Sequence, residues 1–212
     1  MREILMLIME LLGTVAFAVS GTLVAAAAGL DLFGVLTVGT ITAVGGGIIR
    51  DIIIGQIPPT IFSKPEILVL VLVTSFAVFI VAFINSKKIK DLSLKIERIN
   101  IFFDALGLAA FSVTGVEVTC AAGHSDNAVL AVVLGAITGV GGGVLRDVLV
   151  NEKPYILVKH IYAVASLIGA VAYYLVGIYF ENELIGTIIS LLLTITIRML
   201  AAKFRWNLPK VM

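Results

Sequence analysis

Charged residues follow closely after runs of three glycines at two places in an otherwise strongly apolar chain. The first is GGGIIRD at 45–51 and the second is GGGVLRD at 141–147. Each glycine costs a helix about 1 kcal/mol relative to alanine, so three in a row favour a bend or a break. Such a distortion frees amide and carbonyl groups that water can satisfy and lipid cannot. The two motifs therefore predict a wet path for a polar solute or an ion.

The glycines also allow a plainer interpretation. Gly39, Ala43 and Gly47 recur every four residues, as do three glycines of the second copy, and small residues at this spacing let helices pack closely. Packing does not by itself account for three consecutive glycines, so we predict bends in the pore-lining helices at six positions. These are Gly45, Gly46, Gly47, Gly141, Gly142 and Gly143.

The motif charges are Arg50 and Asp51 in the first copy and Arg146 and Asp147 in the second. A charge near the middle of a membrane helix is costly in lipid, so these side chains should face the protein interior or water. Side chains of adjacent helical residues point about 100° apart, which argues against a pair within each motif. Their depths predict the pairs Glu10–Arg50 and Asp104–Arg146 instead. The alternative is that these charges only lock helices together.

The remaining polar residues of the apolar segments indicate which solute is preferred. Acidic residues there outnumber basic ones by two, which favours a cation; they are Glu10, Asp51, Asp104, Glu117 and Asp147 against Arg50, Arg146 and Arg198. Candidate pore-lining hydroxyls are Ser20, Thr42, Thr114 and Thr138. Such hydroxyls can also bond back to their own helix, and the sequence leaves both interpretations open.

Other kinds of site are disfavoured by composition and spacing. The formal net charge is +1, which gives no overall field for a nucleic acid, and the single cysteine excludes an intrachain disulfide and a multi-cysteine metal site. The sequence has no catalytic triad, phosphate-binding loop or metal-ligand spacing. We therefore expect no enzyme activity, no cofactor, no bound metal and no nucleic-acid partner.

The elements that position these residues are predicted to be membrane-spanning helices. Hydrophobic residues make up 60% of the 212 positions and charged residues 14%, and the mean hydropathy is +1.13. These values are typical of an all-α integral membrane protein rather than a soluble domain. Apolar runs long enough to cross about 30 Å of hydrocarbon predict seven spans. They are 4–28, 32–54, 66–84, 101–121, 128–150, 157–179 and 184–202.

An internal repeat organises these spans. Residues 39–58 align with 135–154, and 10–21 align with 104–115. Each unit holds three spans, an odd number, so the two units must cross the membrane in opposite senses, as in many transport proteins. The predicted divisions are a first three-helix repeat at 1–84, a basic linker at 85–97, a second inverted repeat at 98–180, and a seventh helix with a basic tail at 181–212.

The distribution of basic residues predicts the orientation. Ten Lys and Arg residues fall on one side of the predicted membrane and two on the other, and the richer side is cytoplasmic by the positive-inside rule. The ten are Lys87, Lys88, Lys90, Lys95, Arg98, Lys153, Lys159, Lys203, Arg205 and Lys210, against Arg2 and Lys64. This places the N-terminus outside and the C-terminus in the cytoplasm.

The doubled GGGxxRD motif in seven spans resembles the prokaryotic branch of the trimeric intracellular cation (TRIC) channels, a family also described as glycine transporters. The resemblance covers essentially the whole chain. It implies a homotrimer in which each subunit has its own pore, lined by the second and fifth helices and permeable to potassium and sodium. The implied partners are two further copies of the chain, membrane lipid and these cations.

A carrier for glycine or a similar small zwitterion is the alternative function. The arginine of the motif can bind a carboxylate and the aspartate an amine, so the residues themselves are compatible with both a channel and a carrier. Saturable glycine flux without single-channel current would select the carrier, whereas ohmic current would select the channel.

Overall fold

A computed structural model describes residues 2–84, 93–158 and 161–206, with no side-chain description for 93–96 and 158. Every regular element in these ranges is helical. The long helices are α1 (Arg2–Ala27), α2 (Leu32–Ile53), α3 (Pro65–Ile84), α4 (Ser93–Thr119), α5 (Ala128–Leu149), α6 (Ala163–Tyr173) and α7 (Glu183–Phe204). A π-helical segment, Tyr174–Tyr179, extends α6, and another, Cys120–His124, follows α4. Short helical turns lie at Thr60–Ser63 and Tyr155–Val158.

The prediction of an all-α membrane protein is confirmed. In the described part of the chain, six helices are long and apolar enough to span a membrane: α1, α2, α3, α4 with its π-helical extension, α5 and α7. The predicted span 157–179 differs, because it is divided into the turn Tyr155–Val158 and the shorter helix Ala163–Tyr179. At 1.5 Å per residue the latter is only about 25 Å long.

Loop side chains determine where three of the helices begin. The carboxylate of Asp31 accepts a hydrogen bond from the amide of Gly34 at 2.8 Å, at the start of α2. The side-chain oxygens of Asn127 and Asn182 accept equivalent bonds at the starts of α5 and α7. Such N-caps satisfy amides that a helix leaves unpaired, which explains why the polar turns end where they do.

Four helices surround the centre of the molecule, with α1 packed on α2, α2 on α5, α5 on α4 and α4 on α1. Helix α3 covers α1 and α2, whereas α6 covers α4 and α5. Helix α7 packs against α4 and α6, and within the described ranges no helix lies beside α3 in the equivalent way. The second motif therefore has one more helix near it than the first.

The glycine runs lie inside the two helices that cross at the centre of the molecule. Helices α2 and α5 continue without interruption through both glycine runs, so a bend there stays a prediction. The middle glycines lie where the two helices cross. A Cβ atom added to Gly46 would collide with the carbonyl oxygen of Thr138, and one added to Gly142 would collide with the carbonyl oxygen of Thr42. Backbone thus meets backbone at this crossing, which only glycine permits.

Consecutive glycines of one run face different neighbours, which explains why packing can require all three. Next to Gly46, a Cβ on Gly47 would find only Nη2 of Arg50, at 3.7 Å. A Cβ on Gly45 would press on the side chain of Leu145. Within one run, Gly46 lies at the crossing, Gly45 contacts a side chain and Gly47 borders open space.

We predict that Gly46→Ala destabilises the protein while Gly47→Ala does not. Overpacking against an immovable backbone typically costs about 1–3 kcal/mol, whereas an alanine at 47 has room and improves helix propensity. The free energy of unfolding in detergent, measured for both variants, tests this difference. Equal stability of the two variants would contradict the close crossing of α2 and α5.

Some predicted features lie outside the described residues. These include most of the basic linker, with Lys87, Lys88 and Lys90, together with Lys159, Lys210 and the side chain of Lys95. Helix α4 begins at Ser93, so helical structure extends into the last residues of the predicted linker 85–97. The orientation in the membrane stays a prediction.

Candidate functional site

A cavity of about 430 Å³ lies between α1, α2, α4 and α5, on the side of the first motif. It extends from Glu3 at the start of α1 to Thr138 in the middle of α5. Its charged lining consists of four carboxylates and two cationic side chains: Glu3, Glu10, Asp51, Glu117, Arg50 and Lys64. The wall is mostly apolar between these groups, and its charged side chains carry an excess of negative charge.

Arg50 and Asp51 pair with each other at the wall of the cavity. Nε and Nη2 of Arg50 donate to Oδ1 of Asp51 at 2.9 and 2.6 Å. The other carboxylate oxygen of Asp51 accepts a bond from the amide of Thr60 at 2.8 Å. Our expectation that neighbouring residues cannot pair is wrong, because the arginine side chain is long enough to fold back onto the next residue.

The predicted pair Glu10–Arg50 is also wrong. Lys64, in the loop before α3, donates to both oxygens of Glu10 at 2.7 and 3.0 Å. Both side chains are partly exposed at the cavity wall. The loop brings a competing cation to Glu10, and Arg50 remains with Asp51.

The predicted pair Asp104–Arg146 is present. Nη1 of Arg146 donates to Oδ1 of Asp104 at 2.8 Å and to the hydroxyl of Ser20 at 2.6 Å. Its Nε donates to Oδ1 of Asp147 at 2.8 Å, repeating the pair of the first motif. The amide of Tyr155 donates to Oδ2 of Asp147 at 2.8 Å, as Thr60 does to Asp51. Arg146 and Asp104 are both fully buried.

Two residues outside the motifs complete this buried cluster. The hydroxyl of Tyr162 donates to Oδ1 of Asp104 at 3.3 Å. The guanidinium of Arg198, from α7, lies 4.6 Å from the centre of the Tyr162 ring and 3.6 Å from Oδ2 of Asp104. We call Asp104, Arg146, Asp147, Tyr162 and Arg198 the inner cluster. Its two arginines balance its two aspartates, as a buried group of charges requires.

One side-chain difference distinguishes the surroundings of the two motifs. The amides of Thr60 and Tyr155 bind the two motif aspartates. Ile67 lies seven residues after Thr60, and Tyr162 lies seven residues after Tyr155, so Ile67 and Tyr162 occupy equivalent positions. Ile67 lines the cavity. By contrast, the hydroxyl of Tyr162 lies 2.7 Å from where a Cβ of Gly143 would be, and so fills the position that is open beside Gly47.

The candidate hydroxyls divide between the two motifs. Thr114 and Thr138 line the cavity, whereas Ser20 belongs to the surroundings of Arg146. Thr42 and Thr138 each donate to the carbonyl four residues earlier in their own helix, at 2.7 and 2.6 Å. The positions of Thr114 and Thr138 are therefore compatible with lining a pathway. Thr42 instead bonds back to its own helix, which is the other interpretation that the sequence left open.

Glu117 occupies the cavity wall with partners that the sequence did not indicate. Nε of Arg2 donates to one carboxylate oxygen at 2.5 Å, and the hydroxyl of Tyr173 donates to the other at 2.6 Å. Lys64, Ile67 and Tyr162 were likewise missed. Only alignment of the repeats beyond the motifs, with one residue removed from the loop after α2, could have drawn attention to them.

The described residues contain no group of three or more His, Cys, Asp or Glu side chains placed to hold a metal ion.

Apolar helices, buried charges and a mixed-charge cavity between helices define a multi-pass helical membrane protein. The model of the family described as glycine transporter matches the chain twice, at residues 7–83 and 101–177. The chain belongs to this family, in its prokaryotic TRIC branch.

Relatives of known sequence and structure support this assignment. The inner membrane protein YadS of Escherichia coli K12 is 38% identical over 205 residues, covering 95% of this chain and 93% of YadS. A prokaryotic TRIC channel crystallised in 0.5 M KCl is 37% identical with a TM-score of 0.84, over 98% of this chain and 100% of that one. The TRIC orthologue from Rhodobacter sphaeroides is 29% identical with a TM-score of 0.84, covering 94% and 97%.

Proposed function

We propose that this protein is a cation channel with one pathway in each subunit, running between α2 and α5. The observation that carries the proposal is the cavity beside Arg50, whose walls hold four carboxylates against two cationic groups. A low-dielectric cavity with an excess of one charge concentrates counter-ions at its walls. The cations would be monovalent, with potassium and sodium as the candidates.

The pathway continues from this cavity across the glycine crossing to the inner cluster. Arg50 and Arg146 occupy equivalent places in the two units matched by the family model, one on each side of the crossing. An inverted arrangement of these units, with α7 added, would carry a path through the membrane midplane. In this arrangement the outer half is open to the cavity and the inner half is closed by Tyr162 and its partners.

The assembly and placement are part of the same proposal. The Rhodobacter sphaeroides orthologue is a trimeric cation channel, and we propose a homotrimer in a prokaryotic plasma membrane for this chain as well. The proposal also includes an outside N-terminus and a cytoplasmic C-terminus. It divides the chain into the segments 1–84, 85–97, 98–180 and 181–212. Membrane lipid is the expected surrounding partner.

A carrier for glycine or another small zwitterion is the second candidate. It is favoured by the presence of both signs of charge in one cavity, because a zwitterion could exchange its carboxylate and amine with the pairs Arg50–Asp51 and Lys64–Glu10. The description of the matching family as glycine transporter points the same way.

Recording from purified protein in planar bilayers separates the two functions. We expect ohmic single-channel currents in KCl that reverse at the cation equilibrium potential and do not depend on glycine. Saturable uptake of glycine into proteoliposomes, without resolvable currents, would overturn the channel and favour the carrier.

We predict that Glu3→Gln lowers the unitary cation conductance about twofold at roughly 10 mM salt and leaves it unchanged at 1 M. The reason is that the Debye length falls from about 30 to 3 Å between these conditions, which screens the carboxylate. The matched control is Glu181→Gln, which removes an exposed carboxylate outside the cavity lining. An equal loss of conductance in both variants, or a loss that persists at high salt, would contradict a cation-attracting cavity.

A further inference from the structure

Asp104 lies between two arginines that come from different helices. Its Oδ1 accepts a hydrogen bond from Arg146 of α5 at 2.8 Å, and its Oδ2 lies 3.6 Å from Nη2 of Arg198 of α7. Among the described residues, neither Oδ2 of Asp104 nor Nε and Nη1 of Arg198 has a hydrogen-bond partner. A buried guanidinium with unsatisfied donors is costly. The carboxylate and Arg198 would both gain from a closer approach.

In the second motif the carboxylate lies between the motif arginine and another cation, whereas in the first motif the equivalent carboxylate pairs with the other cation. Glu10, which aligns with Asp104 in the repeat, is bound to Lys64, and Arg50 keeps only Asp51. In this half a second cation, Lys64, holds the carboxylate in place of the motif arginine. This is also the half in which the cavity is open.

We propose that the inner half opens when Asp104 transfers from Arg146 to Arg198. Arg198 is then a positioning residue for gating, supplied by the helix that lies outside the repeat. This inference rests on the proposed channel function. Tyr162 connects the two states, because its hydroxyl binds Asp104 and its ring lies against Arg198. Movement of Asp104 towards Arg198 draws this hydroxyl away from Gly143.

The transfer leaves no buried charge without a partner. Arg146 retains Asp147 at 2.8 Å, the same adjacent pair that satisfies Arg50 in the open half. Asp104 stays between the same two helices and exchanges one guanidinium for another. Breaking a buried ion pair outright costs several kcal/mol, and an exchange avoids most of that cost.

Single-channel recording of Arg198→Gln tests the transfer. We expect the open probability to fall at least tenfold, because Asp104 loses the partner that holds it in the open state. Lys203→Gln is the matched control, since it removes an exposed cation from the same helix, and it should gate like wild type. In an Asp104→Asn background, Arg198→Gln should have no further effect on gating.

The outcomes distinguish this inference from the channel function itself. Wild-type protein without current would overturn the channel, whereas a conducting channel in which Arg198→Gln leaves the open probability unchanged or raises it would overturn the transfer alone. If Arg198→Gln does not assemble, Arg198→Lys decides. The ammonium lacks the planar fork that can hold both carboxylate oxygens, so we expect at least a threefold lower open probability. Wild-type gating of Arg198→Lys would then overturn the proposal.

Discussion

Replacement of Arg146 by methionine is expected to destabilise the protein by about 3–5 kcal/mol, which is the usual cost of breaking a buried ion pair. The change leaves Asp104 and Asp147 in the inner cluster with a single cation, Arg198, at 3.6 Å from one of them. Both carboxylates are buried, so water cannot replace the lost partner. The free energy of unfolding in detergent measures the loss.

Adding Asp104→Leu should recover much of this loss, because the remaining cluster is again neutral. The control cycle combines Arg50→Met with Glu10→Leu. These two changes should be simply additive, since Glu10 pairs with Lys64 and not with Arg50. Additivity in the first cycle, or strong coupling in the second, would contradict the observed partners.

Replacement of Tyr162 by isoleucine is expected to raise the open probability about tenfold, equivalent to about 1.4 kcal/mol. The change removes the hydroxyl beside Gly143 and reproduces the side chain that lines the open cavity at Ile67. It also removes a hydrogen bond to Asp104 and the ring against Arg198. Single-channel recording in symmetrical KCl measures the change.

The reverse substitution gives the matched control. Ile67→Tyr should place a ring in the cavity beside the first motif and lower the conductance. Tyr162→Phe keeps the ring, so it should raise the open probability less than Tyr162→Ile does. If Tyr162→Ile and Ile67→Tyr changed the current in the same direction, the filled inner half would not be the closed part of the pathway.

Much of the architecture was predictable because the membrane imposes simple rules on sequence. Helices must satisfy their own backbone groups in lipid, so long apolar runs identified α1 to α5 and α7 closely. The span at 157–179 was less well predicted. The helical turn Tyr155–Val158 overlaps its start, and the amide of Tyr155 binds Asp147, a contact that hydropathy does not predict.

For the site, sequence reasoning predicted only some of the contacts that the chosen residues make. Equal depth in the membrane correctly joined Asp104 and Arg146, since their helices are neighbours. The same reasoning failed for Glu10 and Arg50. A lysine in a loop reached Glu10, and an arginine folded back onto the next residue. Long flexible side chains choose among several partners within reach, and only their positions in space decide between them.

The sequence by itself determined a helical membrane protein with a doubled glycine and charge motif, because hydropathy and repetition are properties of the chain. Tertiary structure decided what the motifs do. It placed Gly46 and Gly142 at a backbone crossing, left room beside Gly47, and filled the equivalent space beside Gly143 with Tyr162. These differences arise from residues far apart in the chain, Ile67, Tyr162 and Arg198, whose neighbours are set only when the helices pack.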